Sequence, residues 1–207
     1  MGRAELTRPI QASDVEEIKN IVVDLRDLTI SAELEVLDVG AGGESVIFRS
    51  LGREIYGLES AEEEMNITRE KGIEDIVGAK IHWIQGDARE MPLDDRQFDV
   101  VTSFFTCMYM RDTENKQKML NECYRVLKAD GVLYLWDFSI TTLKQVFVGK
   151  LEILLPGDQA VSVSYGIGGE EKEQSLEGMK EIAANAGFTL LQEEVNSPYF
   201  FLKFGKK

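Results

Sequence analysis

Four short strings in this 207-residue chain end apolar runs with carboxylates or small residues, in an order that lets one edge of a sheet gather them. The first is Val36-Leu37-Asp38-Val39-Gly40-Ala41-Gly42, whose glycines permit a sharp turn and close approach of backbone to a ligand. Such a turn can cradle a dinucleotide pyrophosphate with bare amides at a helix start. Here, however, Asp38 precedes the turn, Glu44 follows it, and Ser45 stands at the third-glycine position of a G-x-G-x-x-G pattern. Carboxylates repel a pyrophosphate; they suit a ligand carrying a sulfonium and an ammonium group. The second string is Gly57-Leu58-Glu59-Ser60, with Glu59 nineteen positions after Gly40, where an acidic side chain accepts ribose hydroxyls. The third, Gln85-Gly86-Asp87-Ala88, offers a carboxylate to an adenine amino group. The fourth is Phe98-Asp99-Val100-Val101, leading to Ser103-Phe104-Phe105.

These strings need an open parallel sheet, in which ligands bind outside the carboxyl ends of the strands where strand order reverses. The elements supply one. Strands are expected at 35–39, 54–58, 80–85, 98–105 and 132–138, with helices through Val46–Leu51, from the Ser60-x-x-Glu63 capping box to about Lys71, and over 113–127. Strands alternating with helices imply right-handed crossovers and a sheet covered on both faces. Before them, Ser13-x-x-Glu16 opens an expected helix with Val15, Ile18, Ile21, Val22, Leu25 and Leu28 on one face, so residues 1–33 read as an N-terminal helical segment. After them, alternating runs on either side of Pro156-Gly157-Asp158 read as a β-hairpin inserted over 144–166. A helix over 174–186 follows, then strands at 188–195 and 199–204 whose short connection forces an antiparallel pair.

The sequence resembles the class I S-adenosylmethionine (SAM)-dependent methyltransferases, especially those acting on small molecules. The strings VLDVGAGG, YGLES, IQGDAREMPLDDRQFDVVTSFF and NECYRVLKADGVLYLWDF carry the likeness over residues 34–138, and GMKEIAANAGF with the last two strands extends it. The resemblance implies one α/β domain over 1–207, a Rossmann-like doubly wound sheet of seven strands, mostly parallel with the last antiparallel. It implies SAM as cofactor, S-adenosylhomocysteine as product and a small-molecule methyl acceptor, with a protein side chain as second choice. Asp38, Gly40, Ala41 and Gly42 would shape the turn around the methionine part of SAM. Glu59 and Ser60 would serve the ribose, Gly86, Asp87 and Ala88 the adenine, and Ser103 and Phe104 the sulfonium end. The family often has a third glycine where this chain has Glu44. A SAM-binding module without catalysis is the rival reading, and an NAD-dependent dehydrogenase a weaker one.

No catalytic residue stands out. His82, the single histidine, falls inside a strand, and Tyr109, Asp137 and Cys107 near strand ends read first as packing. Methyl transfer from a sulfonium disperses charge, so alignment and desolvation can supply most of the catalysis. No metal site is expected. Net charge is −14 without a basic stripe, which argues against nucleic acid. The longest apolar run, Val100 to Met110, is too short for a bilayer, and the charged first twenty residues do not read as a signal peptide. A cytoplasmic protein with reduced Cys107 and Cys123 is expected. The hairpin would build the acceptor site, a dimer interface or a cover for the core.

Overall fold

The computed structural model describes residues 10–206. Its main sheet has seven strands in the order β4-β3-β2-β5-β6-β10-β9. Four of the strands, β2 (Val36–Val39), β3 (Ile55–Glu59), β4 (Ile81–Gln85) and β5 (Phe98–Phe104), run parallel to one another and to β6 (Leu127–Phe138). The last strand, β10 (Tyr199–Lys206), runs antiparallel between β6 and β9 (Phe188–Asn196). The chain leaves β2 toward β3 and β4, then returns to β5 on the other side. The order therefore reverses between β2 and β5, where the carboxyl ends of the strands open a crevice.

Helices α4 (Thr113–Val126) and α5 (Leu176–Asn185) cover one face of this sheet. Lys116, Met119, Leu120, Cys123 and Val126 form the buried stripe of α4, a helical period, and the Asp112 carboxylate caps its first turn by accepting from Asn115 N at 2.7 Å. Ser175 caps α5 in the same way, accepting from Gly178 N. Beneath them Leu37, Val39, Val101, Leu133, Leu135, Phe200 and Leu202 alternate inward from their strands. On the opposite face, α1 (Val46–Leu51), α2 (Glu62–Glu70) and α3 (Ile73–Val77) cover the β3 side. Gly52, with φ 62°, ends α1. The start of α2 differs from the expected capping box. Ser60 lies outside it, Ala61 is the N-cap, and the Ala61 N–H is taken by the Glu59 carboxylate at 2.9 Å.

The rest of that face is covered by a second, three-stranded sheet of order β1-β7-β8. Its strands β7 (Val146–Leu155) and β8 (Gln159–Gly168) are the expected hairpin. Its third member corrects the reading of the N-terminal segment. Residues Ala12–Asp14 form one 3-10 turn, and Val15–Asp24 are a strand, β1, paired parallel to β7. The first nine residues of that segment lie outside the described residues. Ile21, Val23 and Leu25 point inward while Val22 is exposed, so the two-residue period defeats the looser helical spacing. Five β-branched residues within 15–23 favour the strand, and a bulge at Asn20, φ 60°, resets the register between Ile18 and Ile21.

The second sheet packs Phe147, Leu151, Ile153 and Ile167 against Phe104, Trp136, Phe138 and Phe201 of the main sheet. Gly149 makes the approach close enough: a Cβ there would sit 2.3 Å from the Phe138 ring. Replacing Gly149 by alanine forces that ring aside. We expect a loss of about 1–3 kcal/mol in urea unfolding, while Gly166→Ala, where the nearest atoms lie at 3.4 Å, costs less.

Candidate functional site

Asp38 sits on β2 opposite Gly57 of β3 and Thr102 of β5, at the point of reversal. Its carboxylate is buried and accepts a hydrogen bond from Thr102 Oγ1 at 2.6 Å. Burial pushes its pKa up to about 7 against the Thr102 bond, and the nearby Glu59 charge adds to the rise. The glycine turn begins two residues on. Gly40 has φ 81°, and a Cβ there would overlap Thr106 Oγ1 at 2.3 Å, so the turn closes only with glycine. Thr106 is held beneath it by donating to Val39 O at 2.9 Å. Phe105 adopts φ 55° to bring Thr106 there, an unusual conformation for a bulky residue at the end of β5.

The tip of β3 closes the other side. Glu59 Oε2 accepts from Gly42 N at 3.4 Å and Oε1 from Ala61 N, so one carboxylate ties the glycine turn to the start of α2. Gly40 N and Ala41 N both reach Leu58 O, and Ala41 is buried. Glu64 lies directly against Gly42, where a Cβ would come 2.5 Å from its own, and its carboxyl pKa is raised by burial and by Glu59 and Glu63. Glu44 plays a different part from the one its position suggests. Its oxygens are taken by Arg49, at 3.1 Å, and by Lys71, so it is neutralised locally. Ser45, φ 47°, sits where a glycine is often found and braces the turn by donating to Ala41 O at 2.8 Å.

Other residues singled out in the sequence fall around this centre. Gly86 donates its N–H to Glu59 O at 3.1 Å and is pressed by the Pro92 ring, which a Cβ would meet at 2.6 Å. Asp87 follows at the rim, chelated by Arg89, which lowers its pKa first of all through their side-chain hydrogen bonds. Ala88 is buried in the core and Ser60 is exposed. Ser103 and Phe104 point to opposite faces of β5. Ser103 is buried against Cys107, and Phe104 stacks edge-on with Phe105 among aromatic rings of the second core. His82 is half-exposed beside Glu54 and Tyr56, away from the glycine turn, and Asp99 ties Glu35 N to Lys128.

Three residues that the sequence did not assign complete the edge. Thr102 and Thr106 are the first two. The third is Tyr165 of β8, which stacks on Phe105 at 5.2 Å and 17°. Burial raises its phenol well above the ordinary range, and Tyr109, Asp38, Glu44 and Asp137 follow as causes, which brings the hairpin within electrostatic reach of the site. Asp137, at the end of β6, is fully buried, accepts from Phe138 N and Met108 N, and has its pKa pushed up to about 7 by burial.

The comparisons with known proteins agree with this geometry. Residues 37–135 match the family model of the methyltransferase domain. This chain is similar to methyltransferase domains over just under half of its length. It is 33% identical over 109 residues to the ubiquinone/menaquinone biosynthesis C-methyltransferase UbiE of Roseobacter denitrificans, covering 51% of this chain and 42% of that protein. With the same-named protein of Vibrio parahaemolyticus it shares 30% over 153 residues, 68% of this chain and 54% of that one. The chain thus spans about half the length of the curated relatives it matches. The solved structure of a SAM-dependent methyltransferase from Methanosarcina mazei superposes with a TM-score of 0.64 at 16% identity, covering 86% of this chain and 94% of that one.

Buried Asp38 and Asp137 are easier to keep neutral than ionised. Their folded pKa values near 7 exceed the ordinary 3.8, so the stability they contribute is full below about pH 4 and lost as pH rises through 7. Urea unfolding of the ligand-free chain at pH 5 and pH 8 should show this loss. In Asp38→Asn the difference between the two pH values should shrink by on the order of 2 kcal/mol.

Proposed function

We propose that this chain transfers the methyl group of SAM to a small molecule. One observation carries the reading. Asp38, Glu59, Glu64 and Asp137 converge on the carboxyl edge around Tyr109 and Tyr165, and the two carboxylates flanking the turn, Asp38 and Glu59, are bridged to no cationic side chain among the described residues. Burial first and then neighbouring carboxylates raise the pKa values of Asp38 and Glu64, and such a set favours a ligand that brings positive charge. A sulfonium with an α-ammonium group does so; a dinucleotide pyrophosphate does the reverse.

The residues fit that cofactor. Gly40 leaves the turn without a side chain, and Glu59, already holding both neighbouring backbones, presents its carboxylate at the tip of β3 for ribose hydroxyls. Asp38 supplies a buried negative charge for the ammonium end, and Ala88 with Asp87 edges the adenine position. Bound there, SAM supplies an electrophilic methyl group. The chain's task is then to align the acceptor and exclude water, because charge disperses in the displacement. Tyr165 of the hairpin, stacked on the buried Phe105 at the end of β5, brings an aromatic face to this edge. The quinone-pathway names of the relatives support a small-molecule acceptor, and no helix among the described residues is long and apolar enough to cross a membrane.

Thermal unfolding with SAM, S-adenosylhomocysteine and NAD tests the reading. At about 100 times its dissociation constant a ligand stabilises by roughly 2.7 kcal/mol, so the two sulfur ligands should raise the melting temperature and NAD should not. Glu59→Ala should weaken SAM binding by about tenfold or more. SAM affinity should climb from pH 6 to pH 8 as Asp38 ionises. Absence of any rise with SAM or S-adenosylhomocysteine overturns the assignment.

A further inference from the structure

Tyr165 projects from the inner side of β8, where Val161, Val163, Tyr165 and Ile167 alternate with exposed Ser162, Ser164 and Gly166. Its ring lies on Phe105 at 5.2 Å and meets Phe104 edge-on at 6.4 Å. Phe105 precedes Thr106, whose hydroxyl sits beneath the glycine turn. The phenol is therefore fixed by the same residues that close the turn. Its hydroxyl has no hydrogen-bond partner among the described residues, yet it is not sealed from solvent. On the other side of Thr106, Tyr109 ends a 3-10 turn, donates its N–H to Thr106 O at 3.0 Å and is 40% exposed. Arg111 donates to Gly168 O at 2.8 Å, so the segment after β5 is tied to the end of β8 and the two tyrosines stand on joined elements.

Charge and proton balance then decide which acceptor fits beside Tyr165. Asp38, Glu59, Glu64 and Asp137 surround this edge and repel an anionic acceptor. The cations around it are engaged, Arg49 and Lys71 by Glu44, Arg89 by Asp87 and Arg111 by Gly168 O. An alcohol, a phenol or a carbon acceptor must also lose a proton on methylation. The chain's single histidine, His82, is on β4 beside Glu54. Asp137 is fully buried and already accepts from Met108 N and Phe138 N, and burial keeps the Cys107 thiol protonated. A neutral amine needs no such base. The N–C bond forms as the C–S bond breaks, the bonding pair goes to sulfur, and positive charge passes from sulfur to nitrogen. The product is an ammonium ion, which the surrounding carboxylates favour.

We infer that the methyl acceptor is a small neutral amine that donates an N–H to Tyr165 Oη and keeps its lone pair free to attack, which rests on the methyltransferase reading above. The bond satisfies the one open polar group that the hairpin brings to this edge. The aromatic face around it suits a flat apolar body on the amine.

Methyl transfer from SAM labelled in its methyl group is measured at pH 9 with benzylamine, benzyl alcohol, benzoate and p-cresol, and S-adenosylhomocysteine binding is followed by calorimetry in the same preparation. Label should pass to benzylamine and not to the other three. Tyr165→Phe keeps the stacked ring and removes the oxygen. It should lower kcat/KM for benzylamine by about tenfold with S-adenosylhomocysteine affinity and melting temperature unchanged. No transfer to benzylamine, preferential transfer to the alcohol, the phenol or the carboxylate, or an unaltered kcat/KM in Tyr165→Phe overturns the assignment. The comparison among acceptors uses the wild-type chain and stands even if the variant misfolds. If S-adenosylhomocysteine binds while no label moves, only the amine assignment falls; if it does not bind, the methyltransferase reading falls with it.

Discussion

The carboxylate of Asp38 is buried at the centre of the main sheet with a neutral hydroxyl as its hydrogen-bond donor. Most of the site's geometry follows from keeping it there. Thr102 must lie opposite on β5, which sets the β2–β5 register, and that register puts Val39 beside Ser103. The chain then has to turn away within two residues, so Gly40 takes a left-handed φ and Thr106 fills the space beneath it. Glu59 closes the far side because its neighbour Gly57 pairs with Asp38. A carboxylate held in this way by a single hydroxyl has no cation to answer it among the described residues. That is a property of a receptor site more than of a stabilising core.

The two faces of the sheet are served differently. Helices α4 and α5 pack aliphatic side chains, methionines, two buried thiols and four phenylalanines, whereas the opposite face, over β5, β6 and β10, is richer in aromatic rings and meets another sheet. Flat rings suit sheet-on-sheet contact, and Gly149 lets Phe138 lie against β7. The same contact carries Tyr165 onto Phe105. The hairpin therefore covers the core and reaches the carboxyl edge of the main sheet with one set of residues.

The glycine turn, the acidic tip of β3 and the alternation of strands and helices were legible because each is a local pattern. VLDVGAGG and YGLES name their own turns. The N-terminal segment reads as a helix in sequence because Val15, Ile18, Ile21, Val22 and Leu25 satisfy a helical spacing almost as well as a strand's, and the partner that decides between them lies far along the chain in β7. Glu44 reads as facing a ligand because Arg49 of α1 and Lys71, just past the end of α2, neutralise it from elements whose relative placement no local pattern reports. Thr102 and Tyr165 were invisible for the same reason, since each gains its role from a register or a stacking partner.

The placement of β10 bears on how the chain comes to its fold. This strand is the last element in the sequence, yet it lies between β6 and β9, with hydrogen-bonded neighbours on both sides. Until it is synthesised, β6 has an open edge and Phe200, Leu202 and Phe204 are missing from beneath α4 and α5. Likewise β1, made first, waits for β7 before it has a partner. Such long-range pairings slow folding and leave unpaired edges exposed meanwhile. Both faces of the sheet thus acquire their final covering late, and a nascent chain emerging from the ribosome would have its aromatic face open until the hairpin arrives.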